Sequence, residues 1–236
     1  MYDCLTDEKR SSYIIEIVER DDGYIEPTGG PVRYLSEYKK WPTYYKKAIR
    51  YARGRVLDIG CGAGRHAVYL QGKGLDVVGI DNSPLAIEVC KRRGLKDARK
   101  LSINQINSKL GIFDTVLMMG NNFGLFGSFE GARRLLKKLG KITSLKGRII
   151  AETLDVYQTD NPDHLSYHEF NRQRGRMGGQ VRLRVRYKKY ATPWFDYLMV
   201  SKEEMADILE GTGWEIRRFI DSRGPVYIAI IGKKKR

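Results

Sequence analysis

With 236 residues, 42% of them hydrophobic and 30% charged, the chain can build one well-packed core carrying a modest insertion, and a disordered or fibrous chain is excluded. No apolar run approaches the roughly 18–20 residues that a membrane-crossing helix requires, so no membrane partner is expected. The net charge of +15 is local: residues 172–190 carry Arg172, Arg174, Arg176, Arg182, Arg184, Arg186, Lys188 and Lys189 with no acid, and Lys233–Arg236 is wholly basic.

Residues 1–40 are mixed in pattern, with turn signals at Asp21-Asp22-Gly23 and Thr28–Pro31. The N-terminal MYDCLTDEKR is charged and lacks an apolar core, so no secretory leader is expected. Cys4, Cys61 and Cys90 form neither a C-x-x-C pair nor an even framework, which fits a reducing cytoplasm. From Pro42 to Tyr51 the pattern is helical. Apolar runs then alternate with helical stretches: strands at 55–59, 76–80, 113–119 and 148–153, and helices at 64–72, 83–93 and 129–139. Ser83 is placed to cap its helix, with Pro84 at the first position. This alternation predicts a parallel sheet covered by helices on both faces.

The pattern changes after residue 154. Val181, Leu183, Val185 and Tyr187 alternate strictly with Arg182, Arg184 and Arg186, the mark of a half-buried antiparallel strand. Residues 194–200 should be its neighbour, after a turn near Thr192-Pro193. Ser201-Lys-Glu-Glu204 is a capping-box pattern for a helix to about Gly211, and strands follow at 214–220 and 226–231. The expected organisation is a single domain, 1–236: an N-terminal cap (1–45), a cofactor-binding core (46–154), an antiparallel lid (155–200), and a C-terminal return to the core (201–236).

The glycine turn in VLDIGCGAGRHAVYL (56–70) can be read in two ways. From Gly62, Gly62-Ala-Gly64-Arg-His-Ala67 satisfies the dinucleotide pattern, with Asp81 nineteen residues on. However, the apolar strand ends at Ile59, so the turn begins at Gly60 and Asp58 stands beside it. An acid there suits a ligand with a positive end, and a pyrophosphate would gain nothing from it. A ligand without phosphates, S-adenosylmethionine, is favoured over NAD.

In these segments the chain resembles the class I S-adenosylmethionine-dependent methyltransferases. VLDIGCGAGRHAVYL is similar to their first motif and VVGIDNSPLAIEV (77–89) to their second. FDTVLMMGNNFGL (113–125) stands where their fourth should be. The resemblance implies a Rossmann-like α/β three-layer sandwich: a seven-stranded, mostly parallel sheet, its last strand antiparallel, with an antiparallel insertion after the fifth strand. It also implies S-adenosylmethionine as cofactor and S-adenosylhomocysteine as product. Gly60, Cys61 and Gly62 would then border the methionine part, Asp81 the ribose, and Asn82 the adenine, with Asp58 and Gly64 as further cofactor-binding candidates of the same turn. Gly120 and Asn121 would face the transferred methyl. Where the family often has an acid at the end of the third strand, this chain has Ser102, followed by Ile103.

The acceptor side is less constrained. Asn122 and His168 are candidate catalytic groups, and Tyr34, Tyr38, Asn122, His164 and Arg184 candidate substrate contacts. Gly-Asn-Asn-Phe at 120–123 lacks the prolines of amino-methylating nucleic-acid enzymes, and Cys61 reads as a small residue in a tight turn. His164 and His168 lie four apart, but Pro162 suggests a loop and no third ligand accompanies them, so no metal is expected. The arginine face of 182–186 reads as a solvated surface, an anion contact or a phosphate track, and the KKKR end as a solvated tail. The function expected is methyl transfer to N or O of a small molecule. The alternatives are an RNA methyltransferase using residues 172–190, a non-catalytic S-adenosylmethionine-binding protein and, last, an NAD-dependent reductase. The oligomeric state is open.

Overall fold

The computed structural model describes residues 15–30 and 32–234. The expectations placed on MYDCLTDEKR, on Cys4 and on the last two residues of the KKKR end lie outside them. The main sheet is built from β3 (Arg55–Ile59), β4 (Asp76–Asp81), β5 (Asp97–Lys100), β6 (Phe113–Met118), β7 (Thr143–Leu154), β11 (Trp214–Asp221) and β12 (Val226–Lys233). Their order is β11-β12-β7-β6-β3-β4-β5. Contacts from β5 through β7 are parallel, and β12 runs antiparallel to both its neighbours. The α/β sandwich expected from the sequence is therefore present.

Two core clusters form the outer layers. On one face Val56, Val77, Leu117 and Ile150 pack against α1 (Thr43–Ile49), α2 (Arg65–Gly72) and α3 (Pro84–Arg92). On the other, Leu57, Ile59, Val116 and Ile149 pack against α4 (Phe129–Lys141) and α6 (Lys202–Leu209). Successive strand residues point to opposite faces. Asp58 and Glu152, near the carboxyl ends of β3 and β7, therefore share the α1–α2 face with Val56 and Ile150.

A second, five-stranded antiparallel sheet stands beyond the carboxyl ends of these strands. It joins β1 (Ile17–Arg20) and β2 (Ile25–Pro27) to β8 (Gln180–Tyr187), β9 (Tyr190–Ala191) and β10 (Phe195–Leu198). The alternation at 181–187 is a strand, as its period required, paired with β1 on one side and β10 on the other. Its first turn falls at Lys188, where φ is 52°, rather than at Thr192-Pro193. Residues 162–173, read as a loop because of Pro162, are α5 (Pro162–Gln173). Asn161 caps it through the Asp163 amide, and proline occupies the first turn, where its missing N–H costs nothing. The basic end is partly structured too: Lys233 belongs to β12, and its ammonium donates to the Gly140 and Thr143 carbonyls. No helix among the described residues is long and apolar enough to cross a membrane.

Asn171, fully buried on α5, fixes this helix to the second sheet. Its Nδ2 donates to the Gly178 and Gln180 carbonyls, and its Oδ1 accepts from Arg174. Asn171→Ala leaves two carbonyls without that donor, and we expect about 2 kcal/mol lower stability in urea unfolding, the cost typical of stranded buried acceptors.

Candidate active site around the glycine turn

Gly60 and Gly62 adopt left-handed φ of 68° and 55°. A Cβ on Gly60 would lie 2.7 Å from the Asn122 amide nitrogen and 2.9 Å from Leu125, so side-chain-free backbone is required there. Gly64, also left-handed, is the N-cap of α2 and has no side chain to satisfy the helix amides. Asp58 takes over that task from β3: its carboxylate accepts from the Ala67 amide, while Oδ2, buried, has no partner. Burial pushes the Asp58 carboxyl up to about 7, against the opposing pull of the nearby Arg65 guanidinium. Arg65 itself carries a buried Nε without a partner, its Nη1 donating to the Arg33 carbonyl. No ion pair joins Asp58 to Arg65, so a buried carboxyl and a half-buried guanidinium each keep a buried hydrogen-bonding atom unused.

Asp81 closes the far side of the turn. Its Oδ2 accepts from the Gly62 amide at 3.0 Å and its Oδ1 from Ser83 at 2.8 Å, while burial raises its pKa. Asn82 beside it is exposed, and its amide also donates to Asp81. Ser102 and Ile103 follow β5, a short strand that the sequence pattern did not reveal. The Ser102 amide donates to Gln105, and Ile103 packs on the core. Cys61 is buried with its sulfur 3.7 Å from that of Cys90, and Cys90 donates to the Gly62 carbonyl. The contact with Cys90, and burial after it, push the Cys61 thiol up, which makes it a filler under the turn and a poor nucleophile.

The loop after β6 forms the opposite wall. Gly120 and Asn121 are both left-handed, at 82° and 66°. Glu152 holds this turn: Oε2 accepts from the Gly120 amide at 2.6 Å, and Oε1 accepts from the Tyr45 hydroxyl at 2.8 Å. Burial raises the Glu152 pKa against those bonds. Tyr197, from β10, donates its hydroxyl to the Asn121 carbonyl, and its ring occupies the space a Cβ on Gly124 would need. The Asn121 side-chain oxygen is buried without a partner. The Asn122 Nδ2 donates to the Ile59 and Gly60 carbonyls, both at 2.9 Å, which ties the two loops together.

The other candidates separate. Tyr34 is half-buried, within electrostatic reach of Arg65 and Tyr197. Tyr38 stacks flat on Tyr69 at 4.6 Å and packs beside Trp41. Arg184 lies on the face of the second sheet opposite Leu183, paired with both oxygens of Glu19 and covering Trp194. Arg186 shares Glu19, and Arg182 pairs with Asp196. His164 and His168, one turn apart on α5, line a cavity of about 380 Å³ with Leu154, Val181 and Leu183. Burial lowers the His168 pKa, so its imidazole is neutral at pH 7. Among the described residues no group of three potential ligands could hold a metal ion.

A family model described as a methyltransferase domain matches residues 56–144. A magnesium-protoporphyrin O-methyltransferase of Rhodobacter capsulatus is 37% identical over 93 residues, 38% of this chain and 41% of that protein. A tRNA U34 carboxymethyltransferase of Actinobacillus succinogenes is 31% identical over 115 residues, 45% of this chain and 34% of that protein. The chain thus spans less than half the length of these curated relatives. The structure of an S-adenosylmethionine-dependent methyltransferase from Bacteroides fragilis, bound to S-adenosyl-L-homocysteine, superposes with a TM-score of 0.81 at 26% identity, covering 99% of this chain and 92% of that one.

The raised Asp58 pKa has a consequence for stability. An unfolded aspartate titrates near 4. Between about pH 4 and pH 7 the folded carboxyl holds a proton that the unfolded one has lost, so its burial costs stability increasingly across that window and steadily above it. Asp58→Asn should therefore raise the melting temperature over wild type, with a gain that grows from pH 4 to pH 7 and then levels off.

Proposed function

We propose that this chain, which belongs to the class I (Rossmann-like) S-adenosylmethionine-dependent methyltransferases, transfers the cofactor's methyl group to a small-molecule acceptor. The observation that carries the cofactor side is the pair of unpartnered buried atoms of opposite charge, Asp58 Oδ2 and Arg65 Nε. An α-amino-acid zwitterion complements that pair: its ammonium suits Asp58 and its carboxylate Arg65. The methionine end of S-adenosylmethionine is such a group. Gly60–Gly62 would let it approach the backbone, and Asp81, with Asn82 and Ser102-Ile103 beyond it, would serve the nucleoside end.

S-adenosylmethionine supplies an activated methyl carbon. An acceptor lone pair forms the new bond to that carbon, and the carbon–sulfur electron pair returns to sulfur. The acceptor's proton leaves to solvent or to a neighbouring base. The protein's part is alignment and exclusion of water. Glu152 and Tyr197 hold the Gly120–Asn121 turn rigidly, and the unused Asn121 amide oxygen is available to an acceptor N–H or O–H.

A small acceptor is favoured by the cavity walled by strands of both sheets and by the state of the arginine strand. Arg182, Arg184 and Arg186 are each committed to an acid, Arg172 pairs with Glu169, and Arg174 covers Phe170. An RNA acceptor would have to displace those partners. It remains the second reading because the Actinobacillus succinogenes relative is named for tRNA. The test is to incubate cell extract with the protein and radiolabelled S-adenosylmethionine at low and moderate salt. We expect label in small molecules, reduced at least tenfold by Asp81→Ala. RNase-sensitive label that fades steeply with salt would instead support the RNA reading, because phosphate contacts release counterions.

A further inference from the structure

The cavity behind the transfer turn has a chemistry of its own. Two strands connect it to that turn. In β10, Tyr197 stands directly opposite Val181 of β8, and directly opposed residues share a face. Tyr197 touches the Asn121 carbonyl, and Val181 lines the cavity. In β7, Glu152 and Leu154 are two apart on one face; Glu152 holds Gly120, and Leu154 lines the cavity. A molecule seated there would touch the same two strands that hold the Gly120–Asn121 turn, although no residue of the turn itself lines the cavity.

Two of its three ionic side chains, Arg20 and Asp155, already have partners. Arg20 lines the cavity, but Nε and Nη2 are bonded to both oxygens of Asp22, Nη2 also reaches the Asp163 carbonyl, and the guanidinium packs on Tyr24 and Tyr167. Asp155 accepts from the Tyr157 amide and the Gln158 side chain. Glu26 is exposed, at the rim. The walls between are aliphatic, from Val18, Leu154, Val156, Val181 and Leu183. His168 is the exception. It is 5% exposed, meets Tyr157 edge-on, and makes no hydrogen bond with any described residue. His164, by contrast, has Thr159 for its Nδ1. The His168 ring nitrogens are not sealed in but open onto accessible space, so a ligand that displaces water from them gains by replacing that hydrogen bond.

We infer that this cavity is the acceptor site, and that it takes an uncharged, largely apolar small molecule whose polar group donates a hydrogen bond to His168. The inference rests on the methyltransferase reading for the word acceptor, and on the cavity alone for the ligand class. Its volume suits a small organic molecule and is too small for a folded partner.

The test uses three probes of one shape, 4-propylphenol, 4-propylbenzoate and 4-propylbenzylamine, titrated calorimetrically at pH 7.5 into the full chain with S-adenosylhomocysteine present. The expected result is saturable phenol binding at least tenfold tighter than either charged probe. Leu183→Trp should abolish it by filling the cavity, and His168→Phe should weaken it about tenfold, with S-adenosylhomocysteine affinity unchanged in both variants as the check on folding. A charged probe that binds as tightly, or phenol binding indifferent to both variants, overturns the inference. Tight S-adenosylhomocysteine binding without phenol binding overturns it and leaves the methyltransferase reading intact. Absence of S-adenosylhomocysteine binding by wild type overturns that reading, and with it the acceptor assignment.

Discussion

A carboxylate buried with one oxygen unsatisfied is the constraint around which the site is arranged. Asp58 stands at the end of an interior strand, where burial drives its pKa up to about 7, and the fold retains it against that cost. Half of its hydrogen-bonding capacity does structural work, since Gly64 cannot cap α2 and the Ala67 amide needs an acceptor. The other half is unspent within the protein. Arg65, on the first turn of the same helix, is similarly half-committed, to the Arg33 carbonyl. The glycine turn bends through left-handed backbone between these two groups, and a side chain at Gly60 would collide with Asn122 and Leu125.

The second sheet packs on the first through Leu198 in the main core, and it also reaches the site. Tyr197 reaches the Asn121 carbonyl, and its ring packs where Gly124 has no side chain. On the main sheet, Glu152 clamps the same turn from behind and is itself held by Tyr45 of α1. The turn facing the proposed methyl is thus gripped from both architectural units, and two consecutive left-handed residues are kept in one conformation. Rigidity there is what an in-line displacement requires, since orientation supplies much of its rate.

What could be read from the sequence was local. The glycine turn, Asp58 and Asp81 lie within 25 residues and announce themselves by spacing, and the strand at 181–187 by its period. The pairing of that strand with Ile17–Arg20 spans more than 160 residues and has no local signal. The strand Asp97–Lys100 is short, charged and at the sheet edge, so it lacks the apolar run that betrays a buried strand. Asn161-Pro162 is compatible with a loop in sequence, and a capping residue followed by proline is also how helices begin. Glu152 left a usable trace, an acid inside the apolar run of RIIAETL, which a parallel interior strand does not tolerate without partners. Arg65 and Tyr197 became visible only as neighbours in space.

The zwitterion pair is the central claim, and one comparison of ligands tests it most directly. S-adenosylhomocysteine and 5′-methylthioadenosine share the nucleoside and the sulfur, and the second lacks the amino-acid group. Titrated calorimetrically at pH 8, the first should bind wild type at least about a hundredfold more tightly, a difference of some 2.7 kcal/mol. That advantage should largely vanish in Asp58→Asn and in Arg65→Met. Equal affinities for the two ligands in wild type, or an advantage that survives both substitutions, would contradict the account.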